Sequence, residues 1–383
     1  MKKEKVIDVF PSIDLRKFSF RSDGDDPIVN NSRFYNYASG RSAIYHGISC
    51  LGMPMDSIVL MPIYHCGVEI EAVIRAGYKV EFYRLNNDLT IDLEDIQSKL
   101  RPEIKALFII HYYGFPQPIT KIKSFCNDFN LYLVEDCSHA MYSQFRDKWL
   151  GSFGDIGVYS QRKVFGQTNG GGLVINNDSS TPSAGDRHLD FKMLKSTLGA
   201  VLKFETSKDG LIGISIGHFI SKYKRYIDSR TPYNIDTESD NPRSYYHDSR
   251  YDYKHAISSL SLYFQKKTNY QDIVKRRRGN YECLDRLIKE VPSFQPVFKR
   301  LDEGVCPLCY PVFHEERDKI IPKLNKKRIL TYAFGKYSHP SMKTEHHPES
   351  SYFRDHIVGL PIQQQLKIED IEFVVDTLHE ISS

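Results

Sequence analysis

Short apolar runs alternate with longer amphipathic stretches through the first half of this chain. Ser57–Met61, Lys79–Tyr83, Ala106–Ile110 and Leu131–Val134 read as strands. The first is stopped by Pro62, and the third is apolar without alternation, which predicts burial on both faces. Helical composition fills the intervals: Ala43–Ile48 ending near Leu51-Gly52, Val68–Ala76 closed by Gly77, Ile96–Leu100 started at Asp92-Leu-Glu-Asp95, and Ile119–Phe129. Two further short runs, Ile156–Tyr159 and Leu173–Ile175, follow. Strand and helix in strict alternation predict an α/β fold, with a parallel sheet and right-handed crossovers. The residues up to about Asn36 read as polar and irregular.

Between about Asp178 and Tyr253 the pattern breaks down. That segment holds a helical part around Phe191–Phe204, a Gly/Ile run from Leu211, and a polar, Tyr-rich stretch Thr231–Arg250. From His255 the texture is long amphipathic helix, through Gln265 and Arg276–Arg278 to Ile288. Val305–Phe313 then reads as a strand, Asp318–Leu324 as a helix and Ile329–Phe334 as a strand. Ile368–Ile381 closes the chain as a helix with Ile371, Val374, Val375 and Leu378 on one face. The expected organisation is a large core unit over 37–177, an inserted connecting segment over 178–254 associated with it, and a smaller α/β domain over 255–383.

Composition narrows the classes. The 383 residues are 40% hydrophobic and 26% charged, as in ordinary globular proteins. A net charge of +4 over this length gives no footprint for nucleic acid. No apolar run reaches the ~20 residues of a membrane span. The opening MKKEKVIDVF lacks the apolar core of a signal peptide. With seven scattered cysteines, an odd number, this points to a reducing cytoplasm. Cys306-Pro-Leu-Cys309 has no second ligand pair, so it reads as two unconnected thiols and no metal site is expected.

The candidate chemistry sits at strand ends between Leu131 and Asn176. One run stops at Glu135 and Asp136; another delivers Ser160, Arg162 and Lys163; Gly170–Gly172 lead into a third. Open α/β sheets present ligands at such ends. Pyridoxal phosphate needs a lysine as covalent anchor, an acid beside its pyridine nitrogen, a phosphate cup and a ring clamp. Lys163 and Asp136 suit the first two roles. Ser160 and the start of the first helix, Gly40-Arg41-Ser42, suit the third. Singly, each has a plainer reading: a strand-end aspartate capping a turn, a solvated lysine, a helix cap, a tight glycine turn. Order and spacing carry the signal.

At these residues the chain resembles the DegT/DnrJ/EryC1/StrS sugar aminotransferases, within fold-type I of the pyridoxal phosphate enzymes. Asp136-Cys-Ser-His139-Ala140 resembles the family's Asp-x-x-(Gln/His)-Ala, and Gly151-Ser-Phe-Gly-Asp155-Ile-Gly-Val-Tyr-Ser160 its Gly-Ser-x-Gly-Asp-x-Gly-x-x-Ser. Gly40-Arg41-Ser42-Ala43, Pro62-Ile-Tyr64-His65-Cys66, His111-Tyr-Tyr-Gly114 and Leu360-Pro-Ile362 resemble further family segments. The resemblance implies a mainly parallel, seven-stranded-type sheet between helices. It implies Asp136 on the pyridine nitrogen, His139 on the phenolic oxygen, Ser160 on the phosphate and Lys163 as anchor.

It also implies an aminotransferase passing nitrogen from a donor, glutamate, to a keto-sugar, nucleotide-linked, for surface polysaccharide or secondary-metabolite synthesis. Active sites would be shared across a homodimer. A pyridoxal phosphate sugar dehydratase, or a catalytically silent binding or regulatory protein, is the alternative. The chain departs from the family pattern in four places. Arg162 precedes the lysine in a compact Ser-Gln-Arg-Lys, and Cys66 takes the ring-stacking position, leaving Tyr64 or His65 as clamp. Asp252 falls where the family has an asparagine for the partner's phosphate, and Arg41 replaces a small threonine.

Overall fold

The structure, a computed structural model, describes residues 5–12, 25–177, 181–183, 185, 253–336, 338–343, 347 and 349–382. The expected features within 186–252, among them the helical part around Phe191–Phe204, the Gly/Ile run and Asp252, lie outside the described residues.

The alternation seen in the sequence becomes a seven-stranded sheet. Its elements in chain order are β1 (Phe34–Tyr37), α1 (Gly40–Ser49), β2 (Ile58–Pro62), α2 (Val68–Arg75), β3 (Lys79–Tyr83), α3 (Leu93–Lys99), β4 (Ile104–Ile110), α4 (Ile119–Asp128) and β5 (Tyr132–Asp136). A small hairpin, β6 (Gln144–Phe145) and β7 (Lys148–Trp149), precedes β8 (Ile156–Tyr159), the single turn α5 (Arg162–Phe165) and β9 (Gly171–Ile175). The sheet order is β1-β9-β8-β5-β4-β2-β3. β3, β2, β4, β5 and β8 run parallel; β9 pairs antiparallel with β8, and the edge strand β1 pairs antiparallel with β9 and so shares the direction of the other five. Every residue of β2, β8 and β9 is buried, as a sheet covered on both faces requires.

Beyond residue 255 come α6 (Ser259–Lys266), α7 (Tyr270–Leu287), β10 (Gln295–Pro296), β11 (Tyr310–Phe313), α8 (Arg317–Lys326), α9 (Glu349–His356), β12 (Ile357–Leu360) and α10 (Ile368–Ser382). β10, β11 and β12 form a second, antiparallel sheet. One continuous buried cluster runs from the large sheet into this part, through Tyr281, Leu284, Val312, Val358 and Val374.

Four expectations are corrected. The long helix from His255 is two helices, because the Asn269 side chain accepts from the N–H groups of Gln271 and Asp272 and starts a new one. The strand expected over 305–313 is confined to Tyr310–Phe313. Its first half bonds instead to a loop: Leu308 N donates to Tyr113 O at 2.8 Å and Cys306 N to Ser143 Oγ at 2.9 Å. Ile329–Phe334 makes only isolated bridges, Ile329 to Ile7 and Tyr332 to Gly359. The N-terminal region is less irregular than its polarity implied, since Ile7 and Val9 are buried and Phe34–Tyr37 pairs with β9. In all four, pairing partners far along the chain or a local cap decided what apolar content alone does not.

Candidate active site

β8 ends at Tyr159, Ser160 follows it directly, and Lys163 lies in the single turn α5 just beyond. Gly166 closes that turn at φ +65, in the left-handed region, and a Cβ there would meet Ser12 O at 2.6 Å. The Lys163 side chain lies over the Tyr332 ring, 5.4 Å from its centroid, and donates to Tyr332 Oη at 3.1 Å. Burial lowers the ammonium pKa and Arg162 adds to this, against the opposing pull of Cys66, Asp136 and Glu69. An amine in this setting holds its lone pair at lower pH than a surface lysine.

The backbone of that turn is clamped from the other sheet's side. Arg277 of α7 is 1% exposed and donates to Lys163 O at 3.0 Å, Gln364 Oε1 at 2.8 Å and Pro307 O at 3.4 Å. Gln364 Nε2 in turn donates to Val164 O at 2.7 Å. Replacement of Arg277 by Met leaves these buried acceptors without their donor. The expected cost is about 1–3 kcal/mol of stability, read as a lowered denaturation midpoint. An unchanged midpoint would show that the clamp contributes nothing.

Asp136 and Glu135, adjacent at the end of β5, point in opposite directions as strand neighbours must. Asp136 is 6% exposed; its Oδ1 accepts from Ser138 N at 2.8 Å. Burial pushes its carboxyl pKa up, opposed by Ser138 and by the charge of Lys163. Such an acid is poised to gain from a cation placed against it. Glu135 is fully buried and serves as a hub: it accepts from Gly151 N at 2.9 Å, Phe153 N at 2.7 Å, Gly154 N at 2.6 Å and faces His111 Nε2 at 3.1 Å. His111, Glu135 and Cys137 bring potential ligand atoms within 4.8 Å of one another. The donors around Glu135 make this a hydrogen-bonded staple for the 151–154 loop.

His139 is buried, and burial together with the Lys163 charge holds its imidazole pKa well below the usual range. Its Nδ1 accepts from Tyr113 N at 3.3 Å, so the proton sits on Nε2, which donates to Tyr332 Oη at 3.0 Å. Tyr113 is at φ +56, a left-handed conformation that aims its N–H at the imidazole.

The start of α1 forms a cradle. Ser39 caps the helix by accepting from Ser42 N. A Cβ added to Gly40 would lie 3.6 Å from Ser138 Oγ and 3.7 Å from Ser160 Cβ, filling the space the three enclose. At Gly171 a Cβ would run into the Ser39 carbonyl, so β9 can press against this turn only as glycine. The positive end of the helix dipole faces the cradle. Arg41, beside it, is half-buried.

The expected ring clamp is not assembled as the sequence implied. Tyr64 is fully buried, hydrogen-bonded to Tyr113 Oη at 2.7 Å, stacked on Tyr112 and edge-on to Phe334. His65 turns the other way, facing Pro62 O at 3.0 Å and accepting from His339 N at 3.2 Å, with burial lowering its pKa to about 3. Of the three, Cys66 is the one whose side chain feels the charge of Lys163. Its Sγ and N–H both donate to the buried Glu69, at 2.8 Å each. Four residues of this neighbourhood, Glu69, Arg277, Tyr332 and Gln364, were missed by sequence reasoning. Glu69 alone carried a signal, as a carboxylate on an otherwise buried helix face.

Residues 33–185 match the model of the DegT/DnrJ/EryC1/StrS aminotransferase family. Among curated relatives, a GDP-perosamine synthase of Vibrio cholerae is 28% identical over 145 residues, 37% of this chain and 39% of the relative. The chain thus aligns with less than half of that protein's length. A UDP-4-amino-4,6-dideoxy-N-acetyl-beta-L-altrosamine transaminase of Campylobacter jejuni is 21% identical over 356 residues, 90% of this chain and 84% of the relative. Helicobacter pylori PseC, described as an aminotransferase involved in the biosynthesis of pseudoaminic acid, shares the fold at TM-score 0.65 and 14% identity, covering 98% of this chain and 99% of that one.

Enzymes of the DegT/DnrJ/EryC1/StrS family use pyridoxal phosphate, and the residues present fit that group. A half-buried amine with lowered pKa, a buried acid with raised pKa, a fixed imidazole tautomer and a cradle that a side chain would fill all converge. All seven cysteines are free thiols. Among the described residues no helix is long and apolar enough to cross a membrane.

Proposed function

We propose that the protein is a pyridoxal phosphate-dependent aminotransferase that moves an amino group from glutamate to a keto-sugar, nucleotide-linked, in the synthesis of surface polysaccharide or secondary-metabolite sugars. The observation that carries this reading is the convergence of the half-buried Lys163 and the buried Asp136, the amine lowered and the acid raised in pKa, each affecting the other's charge. When bound, the cofactor supplies a cationic ring that accepts the electron pair left as a substrate C–H bond breaks.

The chain's own residues take defined parts. Lys163 is the covalent anchor and, once displaced by substrate, the base that removes and returns a proton, a role suited to its lowered pKa. Asp136 holds the ring's positive charge, and His139 Nε2–H is the donor for a phenolic oxygen. Gly40, Arg41, Ser42, Ser138 and Ser160 receive the phosphate, and Cys66, rather than an aromatic ring, covers the cofactor's face. The names of the relatives support the substrate class. We extend the proposal to a cytoplasmic homodimer, with a cofactor-binding unit over 37–177, a connecting segment over 178–254 and a smaller unit over 255–383.

The deciding experiment is a two-part assay on purified protein. Addition of pyridoxal phosphate should give a yellow protein, borohydride should fix the cofactor to Lys163, and glutamate should bleach the colour. The resulting amino form is then screened against keto-sugars, free and nucleotide-linked. Protein that stays colourless removes the proposal; colour without a glutamate response leaves a binding protein. Asp136→Asn should retain the cofactor and lose roughly 10²- to 10³-fold in the glutamate half-reaction, because the ring charge loses its facing anion. A rate within twofold of wild type would remove Asp136 from that role.

A further inference from the structure

Tyr332 Oη receives hydrogen bonds from the two groups that the site offers to the cofactor's phenol side. Lys163 Nζ donates to it at 3.1 Å, across 169 residues of sequence, and His139 Nε2 donates at 3.0 Å. The tyrosine is held in place from behind. Its backbone exchanges two 2.9 Å hydrogen bonds with Gly359, and its ring meets Phe10 edge-on at 5.2 Å.

Proton counting turns this arrangement into a competition, given the reading of the site as a pyridoxal phosphate site. The cofactor carries a phenolic oxygen next to its aldehyde. Attachment joins the aldehyde carbon to Lys163 Nζ by a carbon–nitrogen double bond. The carbonyl oxygen leaves as water with the two hydrogens of the neutral amine, and nothing is oxidised or reduced. The nitrogen then holds at most one proton, which the adjacent phenolic oxygen takes internally. Lys163 therefore has no N–H left for Tyr332, and the one N–H of His139 must choose between two phenol oxygens.

We propose that Tyr332 is a positioning residue that stands in for the cofactor's phenol in the unloaded protein. It keeps Lys163 and His139 at the spacing one phenolic oxygen requires, and it releases them as the cofactor attaches. The net cost is one hydrogen bond, that of Lys163, because His139 exchanges one phenolic oxygen for another.

The test uses the full chain freed of cofactor, as wild type and as Tyr332→Phe, mixed with pyridoxal phosphate while colour formation is timed. Tyr332→Phe should load about fivefold faster, the effect of one ordinary hydrogen bond. An amine-reactive reagent should label Lys163 of the unloaded variant faster as well. The pH at which the bound chromophore changes colour should not move. Slower or unchanged loading overturns the proposal, and so does a shifted colour transition, which would place the Tyr332 hydroxyl on the bound cofactor. The ring is retained in Tyr332→Phe, so its packing on Phe10 persists; a thermal melt checks this, and Tyr332→Leu is read in the same way. Wild-type protein that never colours overturns the aminotransferase reading itself. Colour in wild type without faster loading in the variant overturns only the role of Tyr332.

Discussion

Lys163→Ala protein is expected to fold normally and to lose about 10³-fold or more of its transamination rate, the usual scale for removing a group that transfers protons and anchors a reactant. The fold should persist because the structural bonds of this turn are made by backbone: Lys163 N to Ser160 O at 3.1 Å, and Lys163 O to Arg277 at 3.0 Å. The variant should give no borohydride-stable adduct at this turn. A companion measurement follows from burial. The neutral amine is the form that reacts, and the pKa of Lys163 is lowered, so in unloaded wild-type protein its labelling should persist to lower pH than that of surface lysines. Turnover by Lys163→Ala at the wild-type rate, or labelling of Lys163 only at the pH of surface lysines, would rule out its assigned role.

The largest stability effect is expected at the neighbouring Glu135. Its two oxygens accept three backbone N–H groups of the 151–154 loop and face His111, all in a fully buried setting. Glu135→Ala strands those donors away from water and opens a cavity. The expected loss is about 3–5 kcal/mol, a large part of the ~5–15 kcal/mol that holds a typical domain together. Glu135→Gln should fall between, since its amide oxygen serves some donors while its NH2 opposes others. Denaturant unfolding measures both, and a Glu135→Ala loss below about 1 kcal/mol would refute the hub. The contrast with Asp136 gives two adjacent carboxylates different roles. Glu135 closes a loop, and Asp136 awaits a charge.

Much of the large sheet was legible in the sequence. Strands such as Lys79–Tyr83 and the helix starts at Ser39 and Asp92 lie where local composition put them, because caps and apolar runs act over three or four residues. The C-terminal part was less legible. Ile329–Phe334 is as apolar as a strand, yet it makes only isolated bridges, and within Val305–Cys309 the N–H groups of Leu308 and Cys306 go to Tyr113 and Ser143 instead of a ladder. Apolar runs report burial; they do not name the partner.

By itself, the sequence determined the chemistry available: an acid ending one strand, a serine and lysine ending the next, and a small-residue helix start to meet them. These are set by nearest-neighbour spacing, which any parallel α/β sheet converts into one cluster at its strand ends. Tertiary structure alone decided how that chemistry is held. It turned Tyr64 and His65 away and Cys66 inward, sent Glu135 to a loop, and brought Tyr332, Arg277 and Gln364 onto the lysine turn from more than 100 residues away. Those choices depend on packing between distant segments, where one residue of register reverses a side chain's direction and no local pattern records the result.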